Sequence, residues 1–301
     1  MKIVILGSGG RLGAALVREY QTKFDVVGFS HAQLDLATRE QIQEKLSPLK
    51  FDILINAAAF THVDLAESKR DEAFAVNADA PKFLAEICGD KNAKLIHFST
   101  DYVFDGAKRQ PYVEDDAANP ISVYGESKRA GEKLVLETVG GAVSVPNGKQ
   151  AASPTVVRVS WVFGPDRPSF VDAMIKRARD EERIEAIADK WSTPTYTRDV
   201  AEMLPRVFDV DAGILHLANA GKCSWKEYAQ HALDCCQKFG VPLKTKTVGR
   251  SKLADMKNWV ARRPVYSVLS TAKYQALTSI TPRPWRDAVA DYIERSYSKK
   301  K

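Results

Sequence analysis

The chain has 301 residues, of which 45% are hydrophobic and 27% charged, with a formal net charge of +6. This composition is typical of a globular protein with one large or two modest domains, and no apolar run approaches the roughly 20 residues that span a bilayer. The mild basicity suits an anionic small ligand, and no stripe of basic and aromatic residues favours nucleic acid. We therefore expect a cytoplasmic protein that binds neither membrane nor nucleic acid.

The first half of the chain alternates short apolar runs with amphipathic stretches. Strands are predicted at residues 2–7, 25–30, 51–59, 94–100 and 155–164, and helices after residue 12 and at 39–46, 71–88 and from 124. Because the strands are apolar throughout, they predict a parallel sheet covered by helices on both faces. The expected fold class is α/β, with a Rossmann-type doubly wound parallel sheet.

The second half is less regular and richer in proline. A helix at 169–183, a strand at 213–218, a helix at 224–239 with Ser224 as N-cap and a last helix at 285–297 predict a smaller α/β C-terminal lobe for substrate. We expect residues 1–164, with a returning segment at about 192–218, to form the dinucleotide-binding domain. Residues 165–191 and 219–301 would form the lobe, and the glycine-rich stretch 139–153 an exposed loop.

A glycine-rich turn follows the first strand and opens the first helix. Gly7, Gly10 and Gly13 fit the pattern G-x-x-G-x-x-G, which permits a tight turn and close approach of a pyrophosphate. The helix N-terminus then faces the anion. The alternative is a plain strand-to-helix turn, but the context predicts dinucleotide binding, in which we include Leu12.

The end of the second strand bears on the choice of dinucleotide. NAD-preferring sites place an acid there, whereas this chain has Ser30 followed by His31. Arg11 in the glycine turn could meet a 2′-phosphate, so the sequence favours NADPH, with NADH possible. Asp35, beside Leu36, could hold the adenine edge or be an ordinary turn aspartate.

Tyr124 and Lys128 are four residues apart at the start of a predicted helix, and therefore share one face. Hydride delivery to a ketone leaves an alkoxide that needs a proton, which a phenol can donate. The phenol's ordinary pKa is near 10, and an adjacent ammonium would lower it. Thr100, at the end of a strand, could bind the carbonyl oxygen. The alternative is that Tyr124 and Lys128 are ordinary surface residues.

Ten segments in order along the chain resemble one family. They are GSGGRLG at 7–13, NAAA at 56–59, HVDLAES at 62–68, STDYVFDG at 99–106, VYGESKRAGEK at 123–133, RVSWVFG at 158–164, STPTYTRDVA at 192–201, GILHLANAGKCSWKEYA at 213–229, RRPVYSVLSTAKY at 262–274 and RPWRDAVADYI at 283–293. They look like the extended short-chain dehydrogenase/reductases and, more narrowly, are similar to the dTDP-4-dehydrorhamnose reductase family. The resemblance covers nearly the whole chain.

The resemblance implies an NADPH-dependent reduction of the 4-keto group of a nucleotide-linked 6-deoxyhexose, dTDP-4-dehydrorhamnose first. Thr100, Tyr124 and Lys128 match the family's catalytic positions, and the last two also its cofactor site. The other matches to the cofactor site are Asn56, Ala57, Ala58 and Ala59, and those to the substrate site are Thr100, Asp101, Tyr102, Tyr124, Trp161 and Arg263. Trp161 could instead be a core residue, and Arg263 could instead form a salt bridge.

Departures from the family pattern leave some properties open. The stretch 139–153 is longer than expected, and RRPVYSVLS at 262–270 lacks an Asn-Ser pair, so the nucleotide base and sugar stereochemistry stay open. Ala14 and Ala15 stand where some members carry a glutamate at a metal-bridged dimer contact. The four cysteines and five histidines show no metal spacing either, so we expect no metal, while a homodimer remains possible.

Two other functions are compatible with these residues. One is a related reductase or epimerase of another nucleotide 4-ketosugar, although an epimerase that holds NAD would be expected to carry the missing acid after the second strand. The other is a non-catalytic NADP-binding regulatory subunit resembling that of methionine adenosyltransferase.

Overall fold

The structure, a computed structural model, describes residues 1–140 and 153–298. Its strands are β1 (Lys2–Leu6), β2 (Asp25–Phe29), β3 (Ile53–Asn56), β4 (Lys94–Thr100), β5 (Thr155–Val159), β6 (Val162–Phe163), β7 (Ile184–Ile187), β8 (Trp191–Ser192), β9 (Thr195–Tyr196), β10 (Ile214–His216), β11 (Cys223–Ser224) and β12 (Val248–Ser251). Its α-helices are α1 (Arg11–Tyr20), α2 (Arg39–Leu46), α3 (Val63–Ser68), α4 (Arg70–Phe74), α5 (Ala80–Lys91), α6 (Val123–Gly140), α7 (Phe170–Asp180), α8 (Thr197–Met203), α9 (Trp225–Lys238), α10 (Ala272–Thr278) and α11 (Trp285–Tyr297).

Six parallel strands form the central sheet in the order β10-β5-β4-β3-β1-β2. The strand order reverses at β1, which pairs with β2 on one side and β3 on the other. In such sheets ligands bind beyond the carboxyl ends of the strands, next to the reversal. The Rossmann-type α/β fold expected from the sequence is confirmed.

Apolar side chains cover both faces of this sheet. On one face Leu16 of α1 and Val200 of α8 are fully buried, and on the other Leu84 of α5 and Val135 of α6. Full burial of such a side chain contributes about 1.5–3 kcal/mol. The continuous apolar runs of the strands follow from this arrangement, because neither face of the sheet meets water.

The predicted strand 155–164 is interrupted, and this part of the prediction was wrong. β5 ends at Val159, and Trp161 adopts a left-handed φ of 46° before β6 pairs with β9 outside the main sheet. Such a backbone is uncommon for a bulky residue. The indole ring of Trp161 packs against the rings of Phe170, Trp225 and Tyr228. This packing turns the chain away from the main sheet.

The predicted helix 71–88 contains a five-residue π-helix, Ala75–Asp79, between α4 and α5. Asn77 in this segment accepts a hydrogen bond from the backbone N–H of Phe60 at 2.9 Å and donates one to its carbonyl at 3.0 Å. It thereby fixes the loop that follows β3. Helix α6 continues to Gly140, so the predicted loop begins later than residue 139, and its remainder lies outside the described residues.

The C-terminal part packs α7, α9 and α11 around a second apolar cluster that includes Tyr228, Trp285 and Val289. The Ser224 N-cap is confirmed: its hydroxyl accepts from the backbone N–H of Glu227 at 3.2 Å, and the Glu227 carboxylate accepts from the Ser224 N–H at 2.8 Å. Such caps contribute about 0.5–2 kcal/mol. No helix in the described ranges has the length and apolarity needed to cross a bilayer.

Candidate active site

The glycine turn is packed too closely for side chains. Gly7 has a φ of 76°, and a Cβ there would lie 2.7 Å from the backbone nitrogen of Ala58. A Cβ on Gly13 would lie 2.1 Å from the Gly7 carbonyl oxygen. The start of α1 is therefore pressed against the turn, so backbone N–H groups at the helix N-terminus are available to an anion.

A cleft of about 970 Å³ runs along the carboxyl ends of the strands. This volume is at the upper end for a small-molecule site, as a dinucleotide requires. Of the residues expected at the cofactor, Gly7, Gly10, Arg11, Leu12, Ser30, Asp35, Leu36, Ala57, Ala58 and Ala59 line it, together with Thr100, Tyr124, Lys128 and Trp161 at the other end. Gly13 and Asn56 act from behind this surface.

Arg11 is already engaged in the structure. Its guanidinium donates hydrogen bonds to the carbonyl oxygens of Arg167 at 3.1 Å and Val162 at 3.4 Å, and to that of Pro168. These bonds join the first turn of α1 to the segment before α7. A 2′-phosphate could be held by Arg11 only if some of these bonds were exchanged.

Arg167 is a cleft residue that the sequence did not reveal. Its Nε donates to the Gly9 carbonyl at 2.5 Å, although the two residues are 158 positions apart. A methyl group built on Gly9 would lie 3.4 Å from Ser30 Cβ and 3.9 Å from Arg167 Nη2. The guanidinium therefore stands where the glycine turn meets the end of β2. No periodicity or motif marks this exposed loop residue.

Asn56 is fully buried and connects the cofactor cleft to Lys128. Its Oδ1 accepts from the Ala58 N–H at 3.1 Å, so its Nδ2 must be the group 3.1 Å from His97 Nδ1. His97 Nδ1 therefore accepts, and the ring proton is assigned to Nε2. Burial and the neighbouring Lys128 hold the pKa of His97 well below its usual value, so the ring is neutral. A polar residue within the apolar strand KLIHFST was the signal for this role.

Thr100, Tyr124 and Lys128 meet at the end of the cleft. The Thr100 hydroxyl donates to Asp101 Oδ1 at 3.2 Å and accepts from the Tyr102 N–H at 3.2 Å. Lys128 is buried and donates to the Phe98 carbonyl at 2.7 Å. Burial lowers the pKa of Lys128 to about 8.

The pKa of the Tyr124 phenol is raised, whereas the sequence predicted that it would be lowered. Burial raises its pKa to about 12, and the neighbouring Thr100 hydroxyl offsets only part of the effect. The Asp101 carboxyl raises the pKa of the phenol further, and the Lys128 ammonium donates its hydrogen bond to a backbone carbonyl. Tyr124 is therefore a protonated acid at neutral pH.

A second cavity of about 250 Å³ continues beyond Thr100 and Tyr124. Asp101, Tyr102, Trp161, Lys190 and Trp225 also line it. Burial raises the pKa of Asp101, whose Oδ2 accepts from Ser160 at 2.9 Å and Ser267 at 2.5 Å. Lys190 and Trp225 were missed from sequence, because neither lies in a pattern that indicates a ligand.

Trp161 packs in the core, which was its alternative role, and its role beside a sugar ring stays a prediction. Its ring lies 4.9 Å from that of Trp225 at an angle of 28°, and 4.8 Å from that of Tyr228 edge-on. It belongs to the aromatic cluster of the C-terminal part, yet it also lines both the cleft and the second cavity. The ring is therefore a wall shared by the two spaces.

Arg263 forms the salt bridge that was its alternative role. Its Nη1 and Nη2 donate to the two oxygens of Asp64 at 3.0 and 2.5 Å, and its guanidinium stacks 3.9 Å from the Trp259 ring. These bonds lower the pKa of Asp64 to about 2. Arg263 lines neither the cleft nor the second cavity, and its role near the nucleotide phosphates stays a prediction.

A comparison with protein families identifies the family of the chain. Residues 1–298 match the model described as the RmlD substrate binding domain. The chain belongs to the RmlD family, that of the dTDP-4-dehydrorhamnose reductases. The resemblance noted in its sequence motifs is thus confirmed.

Relatives of this RmlD-family protein match over almost their full length. It is 36% identical over 300 residues to a dTDP-4-dehydrorhamnose reductase of Mycolicibacterium smegmatis, covering 97% of this chain and 85% of that one. It is 33% identical over 298 residues to the spore coat polysaccharide biosynthesis protein SpsK of Bacillus subtilis, covering 99% and 98%. The structure is similar to that of the Bacillus anthracis dTDP-4-dehydrorhamnose reductase in complex with NADP, with a TM-score of 0.87, 29% identity and coverage of 98% and 99%.

The described residues give no indication of a metal centre. In residues 1–140 and 153–298, no group of three or more His, Cys, Asp or Glu side chains is arranged to hold an ion. All four cysteines are buried free thiols.

Proposed function

We propose that this protein reduces the 4-keto group of a nucleotide-linked 6-deoxyhexose with NADPH, converting dTDP-4-dehydrorhamnose to dTDP-L-rhamnose. One observation carries the proposal: Thr100 and Tyr124 line both the dinucleotide-sized cleft and the smaller cavity beyond it. A hydride donor in the first space and a ketone in the second would meet at these two hydroxyl groups. The relatives named dTDP-4-dehydrorhamnose reductase supply the identity of the ketone.

The residues present fit a bound NADPH. The glycine turn leaves room for a pyrophosphate at the N-terminus of α1, and Ala57 and Ala58 offer a flat backbone surface next to it. When bound, NADPH supplies the hydride. We further propose that Arg167 pairs with the 2′-phosphate, because its guanidinium lies beside Ser30 at the end of β2.

The catalytic side chains supply the proton that the ketone oxygen needs when it receives the hydride. The Thr100 hydroxyl turns its proton from Asp101 Oδ1 to the ketone oxygen and orients that oxygen. Tyr124 passes its proton to the same oxygen as it becomes an alkoxide. The transfer is downhill even from a phenol with a pKa of about 12, since a sugar alkoxide is the stronger base. The Lys128 ammonium stabilises the phenolate that remains. Trp161 and Tyr102 line the same space and exclude water from it.

We propose the same division of labour along the chain that the sequence suggested. Residues 1–164 with the returning segment 192–218 bind the cofactor, and residues 165–191 and 219–301 hold the sugar nucleotide. The protein acts in the cytoplasm, without nucleic acid or membrane, as a monomer or a homodimer.

The test measures loss of nicotinamide absorbance with dTDP-4-dehydrorhamnose, comparing wild type and Tyr124→Phe. We expect turnover by wild type, and at least a hundredfold loss in the variant with NADPH affinity retained, which general acid catalysis implies. Tyr20→Phe is the matched control, since the hydroxyl of Tyr20, the last residue of α1, is buried in the core and has no hydrogen-bond partner among the described residues. NADPH binding without turnover by wild type would favour another 4-ketosugar or the regulatory-subunit alternative.

A further inference from the structure

Lys190 is a buried cation, and the described part of the chain provides no hydrogen-bond acceptor for it. The residue is 1% exposed, and neither a hydrogen bond nor an ion pair to its Nζ forms within the described ranges. Its Nζ lies 5.3 Å from the ring centre of Tyr102 and 6.0 Å from that of Trp225. The Asp101 carboxyl, which lines the same cavity, also favours the ammonium form, but it accepts its hydrogen bonds from Ser160, Ser267 and Thr100 and none from Lys190. These neighbours therefore compensate only part of the lost hydration of an ammonium group.

The position of Lys190 suggests what completes its bonding. It lines the cavity beyond the catalytic end, together with Thr100 and Tyr124. A ligand whose ketone oxygen contacts those two hydroxyl groups would fill the same small space of about 250 Å³. The rest of such a ring would therefore lie within reach of the Lys190 side chain.

The charges around the cavity favour a neutral hydroxyl oxygen over a phosphate as the partner of Lys190. Asp101 brings a carboxyl group to the lining, and Arg11, the other cation there, donates its hydrogen bonds to backbone carbonyls. A diphosphate beside Asp101 would bring like charges together in a space with little water. A hydroxyl group accepts a hydrogen bond from an ammonium without that repulsion.

We propose that Lys190 donates a hydrogen bond to a ring hydroxyl of the hexose and selects sugars that carry it over their deoxy counterparts. The inference rests on the proposed function and specifies its substrate further. Lys190 is a substrate-binding residue in this proposal, and takes no part in the proton transfer. A site built to bond a hydroxyl group discriminates strongly against a ligand without it, because the buried donor is left unpaired.

The experiment measures kcat and KM for dTDP-4-dehydrorhamnose and for its 2-deoxy and 3-deoxy analogues. For wild type we expect a preference of about tenfold or more for the hydroxylated sugar over at least one analogue. Lys190→Met should abolish that preference, mainly through KM for the hydroxylated sugar, with NADPH affinity unchanged. Lys190→Gln, which keeps a donor, should restore part of it.

Lys222→Met is the matched control. Lys222 is exposed and also stands over two aromatic rings, 5.7 Å from Trp191 and 5.3 Å from Tyr266, but it does not line the cavity. Its loss should leave the preference unchanged. If Lys190→Met and Lys190→Gln lower kcat/KM equally for all three sugars, or only lower the thermal midpoint, the inference is overturned while the reductase function stands. Inactivity of wild type on all three sugars would overturn the function and the inference with it.

Discussion

His97 Nε2 lies 3.3 Å from Lys128 Nζ in the interior of the protein. Because His97 Nδ1 accepts from Asn56, the ring presents an N–H to the lysine and gives the ammonium no acceptor. The Phe98 carbonyl accepts its hydrogen bond, and the Glu132 carboxylate is the neighbouring charge that favours the ammonium form. The charge of this lysine is therefore easily lost, in agreement with its low pKa of about 8.

The first prediction is an alkaline limb in the rate of reduction. As pH rises through the pKa of Lys128, about 8, the ammonium loses its proton and the Tyr124 phenolate loses its stabilising charge. Tyr124 itself keeps its proton up to a pKa of about 12. We expect kcat to be level at neutral pH and to fall above about 8.

The pH dependence of kcat for wild type and Lys190→Met tests this. Burial also lowers the pKa of Lys190 to about 8, so both lysines titrate together in kcat/KM. The limb in kcat should survive in Lys190→Met if Lys128 is its source. A limb that first begins near pH 10 would contradict the assignment.

The second prediction concerns the choice of cofactor. Arg167→Met should weaken NADPH binding by about five- to tenfold and leave NADH binding unchanged, because only NADPH carries the 2′-phosphate. Fluorescence titration with both nucleotides measures the two affinities. Arg183→Met, which removes an 86% exposed side chain elsewhere, should change neither. Equal weakening for both nucleotides would show that Arg167 serves the glycine turn through its bond to Gly9.

The third prediction concerns the buried pair Glu132 and Arg158. Two hydrogen bonds of 2.7 Å join them, and the side chains are 0% and 1% exposed. Glu132→Leu would leave the Arg158 guanidinium uncompensated, and should lower the free energy of unfolding by about 3–5 kcal/mol. Urea unfolding of Glu132→Leu, Arg158→Met and the double variant measures this. The double variant should be more stable than Glu132→Leu, and an additive loss would refute the coupling.

The fourth prediction concerns the stability of the protein in acid. The pKa of Asp64 is lowered to about 2 from its ordinary 3.8, so the carboxylate stabilises the folded state above 3.8. This contribution is lost as pH falls through the folded value of about 2. Asp64→Asn should remove that part of the acid sensitivity in thermal unfolding. Asp25→Asn, at a 67% exposed position 3.9 Å from Lys2 Nζ, should leave it as in wild type.

Periodicity and glycine spacing were enough to predict the sheet and the cleft. Apolar strands, the turn at Gly7 and the i, i+4 relation of Tyr124 and Lys128 are local features, and local geometry determines them. The bend at Trp161 was not predictable, because Trp161, Val162 and Phe163 are residue types that favour a strand. The Trp161 ring packs against Trp225 and Tyr228, which are distant from it in the chain, and not against the sheet.

The residues that were missed depend on long-range contacts in the same way. Arg167 reaches Gly9, and Lys190 approaches Tyr102, through the way the C-terminal part lies against the sheet. The direction in which the pKa of Tyr124 shifts also could not be predicted without the three-dimensional structure. The spacing shows that a lysine is nearby, but it does not show how deeply the phenol is buried. The sequence thus predicted which groups would come together, and their protonation required the structure.

The strand order determines when the central sheet can be completed during synthesis. β10 is the edge strand that pairs with β5, yet it follows α7 and α8 in the chain. A nascent chain that ends before Ile214 leaves β5 with an unpaired edge, which invites pairing with another chain. The cofactor cleft begins at β1, but its sheet is complete only after β10, which ends at His216, has left the ribosome. We therefore expect ribosome-bound fragments that lack β10 to aggregate more readily than the full-length chain.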